Sequence, residues 1–387
     1  MTSNMTQTLY IVAVESSADH LGAQLIKDLK TQSPTITCIG IGGPAMQAEG
    51  VEPDIDISGL AILGFIEGVS AYPMIMKRVK QAAASIVGAK SDAVILIDSW
   101  GFMIRIAKEL KKMGYEGKVI KYVAPQVWAM REGRSKILAD NVNHLMTIHD
   151  FDAPYFERHG LPVSYVGNPV FDSDYRAGNG EQLKRECGLT KTDEIVSIFF
   201  GSRLSEIKTL VPVFAQVVQE LKQKRPYLKF ISPLSDSVAT DVRSVAAMDP
   251  RLQDIIFLPE SKKLDVFDAS RAALACSGTV TTQLACAGVP TVVAYKLNAM
   301  TFAVAKRLFK PDYISMVNIS AGESLLPEFI QGEVIAENIV QEILKYVDDA
   351  EYRKLASEKL LAQTTLMHGK GGLASKRAAQ IVLSLLT

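Results

Sequence analysis

The sequence predicts an α/β protein built from two consecutive, doubly wound parallel sheets. Short apolar runs alternate with amphipathic stretches of helical period, as in parallel sheets covered on both faces. Turns rich in glycine and serine sit where the apolar runs end, the places where a strand gives way to a helix. A polar stretch at 172–179, with glycines close by, divides the series and reads as a linker. At 387 residues, 48% of them hydrophobic, the chain can bury a core in each of two domains of ordinary size.

The first half opens with a strand at 10–14 and a helix at 21–30, where Leu21-Gly22 lets the helix lie close on the sheet. A strand at 37–41 runs into Gly42-Gly43-Pro44. The run 93–97 is a further strand, followed by a helix at 102–113. Strands at 118–123, 142–148 and 163–166 complete the series, which closes near Gly167-Asn168-Pro169. The second half begins with a strand at 194–200 that leads into Gly201-Ser202-Arg203, then a helix at 207–223 and strands at 229–232 and 255–258. A last unit has strand 272–275, turn Ser277-Gly278-Thr279, helix 279–287 closed by Gly288, and strand 289–295. The expected domains are 1–172 and 190–365, with a C-terminal helix at about 366–387 packing back on the first. Two such halves imply a cleft, with ligands at the carboxyl ends of both sheets.

Lys plus Arg and Asp plus Glu both number 42, so the formal net charge is zero and points to neither nucleic acid nor an acidic partner. The four cysteines form no CxxC pair and read as reduced core thiols, which suits the cytoplasm. The N-terminus lacks the basic region and apolar run of a signal peptide, and no run approaches the ~20 apolar residues of a spanning helix. Any membrane contact is therefore expected to be peripheral. The five histidines follow no metal-ligand pattern, and neither GxxxxGK[ST] nor Gly-x-Ser-x-Gly occurs. No metal or other cofactor is expected.

Asp98 is the sharpest candidate for catalysis. Five apolar residues lead directly to it, which sets a carboxylate at the sheet's carboxyl edge, where a base for a sugar hydroxyl belongs. Its alternative role is to cap the helix that follows. Glu15 also stands at a strand end, either contacting substrate or acting as a base, against a local capping role that suits Ser17 and Asp19 better. Ser277-Gly278-Thr279 points free N–H groups and a positive helix end at one spot, a ready diphosphate site. Gly201, Ser202 and Arg203 offer a second one, with close backbone approach and a bidentate guanidinium. Two converging anion sites in one domain favour a nucleotide diphosphate. In the loop after the strand at 118–123, Gln126, Trp128 and Arg131 either line an acceptor pocket or pack the loop on the core. Two apolar segments bordered by cations suit an anionic bilayer or acylated ligands. One carries Leu63 and Phe65 and leads on to Lys77 and Arg78; the other leads into Lys306 and Arg307.

Together these segments resemble the lipid-A-disaccharide synthase family. The resemblance runs from Tyr10 to about Glu333 and rests on ordered matches. They include Glu15 to Gly22, Gly42-Gly43-Pro44, Leu60 to Glu67, Asp98, Tyr122 to Ala129, Gly201-Ser202-Arg203 with Glu206, Ser277-Gly278-Thr279, Pro290 to Tyr295, Ala305-Lys306-Arg307, Asn318 and Pro327-Glu328. It implies a GT-B fold, two Rossmann-like domains facing a central cleft. The implied donor is UDP-2,3-diacylglucosamine and the implied acceptor 2,3-diacylglucosamine 1-phosphate (lipid X), giving the β-1,6 disaccharide 1-phosphate and UDP with inversion. Asp98 would be the base. Arg203, Glu206 and the Ser277 turn would hold the donor, with Gln283 at the ribose. Asn318 would contact acceptor or lipid, as would Leu63 and Phe65. The implied location is the cytoplasmic surface of the inner membrane, and a homodimer is left open. The chain departs from the family pattern at Ala18, Gly101, Asn168 and Gln283, the last replacing a glutamate. A divergent UDP-sugar transferase and a catalytically silent lipid-binding paralogue are the competing readings.

Overall fold

The structure, a computed structural model, describes residues 7–53, 55, 72–129, 131–202, 204–235, 238–296, 311–369 and 372–386. The chain forms two compact units, Met1–Pro169 with Lys370–Thr387, and Val170–Gly369. Among the described residues no helix is long and apolar enough to cross a membrane.

The first unit holds one parallel sheet of β1 (Thr8–Val12), β2 (Thr37–Ile41), β3 (Ala93–Ile97), β4 (Lys118–Tyr122), β5 (His144–Thr147) and β6 (Val163–Tyr165). Their spatial order is β2-β1-β3-β4-β5-β6, so the direction of winding reverses between β1 and β3. All five residues of β3 are buried, as expected of a strand covered on both faces. Helix Ser16–Gln32 covers one face, where Leu25, Ile26 and Leu29 share an apolar cluster with Ala378, Ala379 and Val382 of helix Ala374–Leu386. Helices Tyr72–Gly88 and Trp100–Lys112 cover the other. The second of these buries Phe102, Met103, Ile106, Ala107 and Leu110, an apolar face of helical spacing. Gly40 on β2 cannot be replaced freely, because a Cβ there would lie 1.9 Å from the Ile11 carbonyl oxygen.

The second sheet is also parallel: β7 (Ile195–Phe199), β8 (Lys229–Leu234), β9 (Ile255–Pro259), β10 (Ser270–Cys276), β11 (Thr291–Tyr295) and β12 (Glu328–Ile330), in the order β12-β11-β10-β7-β8-β9. Here the winding reverses between β7 and β10. Helices Leu204–Lys224 and Ala336–Asp348 cover one face through Leu210, Phe214, Ile339 and Ile343. Leu183, Phe267 and Leu284, from helices Gly180–Glu186, Lys263–Ala269 and Thr279–Cys286, belong to the cluster on the other.

Two expectations need correction. The stretch expected to be a linker is packed: a Cβ on Gly178 would meet the Leu264 carbonyl oxygen at 2.1 Å, and one on Gly180 the Ala269 nitrogen at 2.6 Å. Asp265 and Asp268 accept the N–H groups of Asn179 and Gly180. These glycines permit close backbone approach, where the sequence suggested flexibility. The C-terminal helix is Ala374–Leu386, later than the expected start near 366, which falls within helix Ala350–His368, followed by Gly369 at φ +75°.

Candidate active site

In open parallel sheets, ligands bind beyond the carboxyl ends of the strands where the winding reverses. In the first unit that point lies between β1 and β3, and the residues just past those strands are the segment to Glu15 and Asp98. Glu15 is the N-cap residue of helix Ser16–Gln32 by backbone position, yet its side chain makes no cap bond. Asp98 does not cap either; Ser99 holds that position for helix Trp100–Lys112. Asp98 and Ser99 both adopt left-handed backbone, at φ +51° and +39°, a conformation non-glycine residues adopt where the surroundings enforce it. Among the described residues the half-buried Asp98 carboxylate accepts no hydrogen bond, so its lone pairs are available to a ligand. Asp19 is a structural contrast. Its buried carboxylate accepts the N–H groups of Gly43, Ala45 and Met46 at 2.8, 2.9 and 3.1 Å, so it caps a neighbouring helix, Pro44–Ala48.

Beside this pair lies a residue that the sequence did not single out. Lys121 on β4 is only 2% exposed, and its Nζ donates to the carbonyl oxygens of Asp98 and Tyr122 at 2.7 and 2.9 Å. Burial pushes its pKa down to about 7, against the upward pull of the Asp98 and Glu15 carboxylates.

The loop after β4 brings aromatic and cationic groups to the same sheet. Trp128 is buried, edge-on to Phe151 at 5.4 Å, and His149 stacks on Phe151. Its ring therefore packs the loop on the core, and the exposed members of the expected trio are Gln126 and Arg131. Arg134 lies over the Trp100 ring at 5.2 Å, and burial, then Arg131, lowers its pKa. On helix Tyr72–Gly88, Lys77 is exposed and Arg78 half-buried.

In the second unit the reversal point carries a cavity of about 270 Å³ lined by Phe200, Gly201, Ser202, Cys276, Ser277, Gly278, Thr279 and Gln283. Gly201, at φ +94°, turns the chain at the end of β7. Helix Thr279–Cys286 starts at Gly278 without a side-chain cap, so its first N–H groups and positive end are open to an anion. A Cβ on Gly278 would meet no atom of the described residues within 4 Å, so the turn is open there. Gln283, half-buried one turn further on, has its amide nitrogen 3.5 Å from the Tyr175 hydroxyl. Glu260 and Lys263 from the end of β9 line the same cavity. Their sequence signal is a polar cluster at a strand end, Glu260-Ser261-Lys262-Lys263.

Residues 9–383 match the family model described as lipid-A-disaccharide synthetase. The chain belongs to that family. A lipid-A-disaccharide synthase of Geobacter sulfurreducens is 36% identical over 386 residues, covering 100% of this chain and 99% of its own. Solved structures with much lower identity share the fold. The kitacinnamycin glycotransferase superposes with a TM-score of 0.65 at 13% identity, covering 99% of this chain and 100% of its own. The S. aureus MnaA–UDP co-structure gives 0.64 at 14%, covering 99% and 97%. The fold is GT-B, one Rossmann-like domain per unit, and the chain is a hexosyltransferase of lipid A disaccharide synthesis.

Not every residue assigned from the lipid-A-disaccharide synthase resemblance reaches a site. Asn318 is 0% exposed; its amide donates to the Leu326 carbonyl and Glu328 carboxylate and accepts from the Leu325 and Leu326 N–H groups. Those partners saturate it, so a lipid contact through Asn318 is set aside in favour of a role in folding the 318–328 loop. Leu63, Phe65, Arg203, Lys306, Arg307 and the Glu206 side chain lie outside the described residues.

Proposed function

We propose that this chain joins UDP-2,3-diacylglucosamine to 2,3-diacylglucosamine 1-phosphate with inversion at the donor's anomeric carbon. The first unit takes the acceptor and the second the UDP-sugar. The observation that carries this reading is the Asp98 carboxylate, which accepts no hydrogen bond among the described residues and stands at the winding reversal of its sheet. Asp98 removes the proton from the acceptor's 6-hydroxyl as that oxygen bonds to the anomeric carbon and the bond to the UDP oxygen breaks. Glu15 holds a substrate hydroxyl beside it. Charge growing on the leaving diphosphate is met by the N–H groups of the Ser277-Gly278-Thr279 turn and of Gly201-Ser202, with Arg203 following directly in sequence. Gln283 reaches the ribose, and Gln126 and Arg131 contribute acceptor contacts. No metal or other cofactor enters this scheme.

The same reading places the enzyme at the cytoplasmic surface of the inner membrane. Helix Tyr72–Gly88 supports it, with Tyr72 and Met74 50% and 42% exposed beside Lys77 and Lys80. The test is to mix purified protein with the two lipid substrates and measure UDP and disaccharide. Stoichiometric formation of both is expected. Tight lipid binding without UDP release would favour a silent paralogue instead.

A further inference from the structure

One cation lies wholly inside the first unit, and the steps above leave it unused. Lys121 sits on β4 between Leu96 and Leu145, its register partners on β3 and β5. A buried ammonium carries a desolvation cost that a leucine or valine in the same strand would not carry. Its two hydrogen bonds go to the carbonyls of Asp98 and Tyr122, and the Tyr122 carbonyl also accepts the Asp98 N–H at 2.9 Å. The ammonium and the β4 backbone thus grip Asp98 through both its carbonyl and its N–H, where two consecutive non-glycine residues hold positive φ. Backbone of that kind persists only when neighbours over-determine it.

We propose that Lys121 is a positioning residue for the Asp98 carboxylate: it clamps the strained turn that aims Asp98 and offsets the joint negative charge of Asp98 and Glu15. This role presupposes Asp98 as the base. The charged groups acting on Lys121 are Asp98, after β3, and Glu15, after β1; its register partners are apolar. With its pKa near 7, the ammonium changes charge in the neutral range. Once it is neutral, the two charge-assisted hydrogen bonds that hold the Asp98 turn weaken. The pH profile of kcat should therefore carry a falling step near pH 7 that belongs to Lys121.

The experiment compares wild type, Lys121→Met and Asp98→Asn in kcat and acceptor KM across pH, alongside a side-chain NMR titration of lysine-labelled wild type. Lys121→Met should lose about tenfold or more in kcat, change acceptor KM by less than about threefold, and lose the step near neutrality. The labelled Lys121 should titrate near that step. A variant that keeps both wild-type kcat and the step, or a Lys121 resonance still protonated past pH 9, about two units above the expected midpoint, would overturn the role. If Asp98→Asn is inactive while Lys121→Met behaves as wild type, only the clamp fails. If Asp98→Asn stays active, the base assignment fails. A Lys121→Met chain that does not fold leaves the wild-type titration to decide.

Discussion

Gln283 stands where the family resemblance expects a glutamate, and its position in the second unit's cavity makes that difference measurable. An amide offers the ribose one carbonyl oxygen and a donor, whereas a carboxylate accepts from two hydroxyls. Gln283→Glu should tighten UDP by about fivefold, the gain from a charged over a neutral hydrogen bond, read by calorimetry. Unchanged affinity would mean that Gln283 is not at the ribose. Lys121 makes a prediction of a different kind. Its pKa is depressed from 10.5 to about 7 on folding. Between those values the unfolded chain holds a proton that the folded chain has released, so stability rises with pH across that window. The slope contributed is at most about 1.4 kcal/mol per pH unit, and urea unfolding of Lys121→Met should show it removed. An unaltered slope in the variant would place the titration elsewhere.

Among the elements, β3 and the turn after it were legible because a wholly apolar run ended abruptly in a carboxylate. The lysine on the adjacent strand was not, because β4 reads Lys-Val-Ile-Lys-Tyr and a lysine within a strand normally marks a wetted position. Only the tertiary setting buries it. The glycines near 178 misled for a related reason. Sequence cannot separate a glycine that bends freely from one that makes room for another backbone. Gly178→Ala should cost on the order of 1–3 kcal/mol in thermal or urea unfolding, because the obstructing atom is the Leu264 carbonyl oxygen and has little freedom to move. A neutral result would show that the contact relaxes. Short helices such as Pro44–Ala48 and Ala153–Glu157 went unread since five residues carry too little periodicity.

For the whole molecule, both sheets repeat one device: a reversal of winding with chemistry-bearing residues just beyond the strand ends. The first unit's carries Glu15 and Asp98; the second's carries the N–H-rich turns that line its cavity. The proposed membrane docking belongs to this scale too. Reversing Lys77 and Lys80 to glutamate should weaken sedimentation with anionic vesicles by about tenfold or more, at roughly 1 kcal/mol per surface cation removed. Binding that persists unchanged would assign the contact to another face. The central claim, that Asp98 is the base and the second unit holds the donor independently of it, is tested most directly by Asp98→Asn. Turnover should fall by about 10²–10⁴-fold while UDP affinity and thermal stability stay at wild-type values. Near-normal turnover, or a parallel loss of UDP affinity, would contradict it.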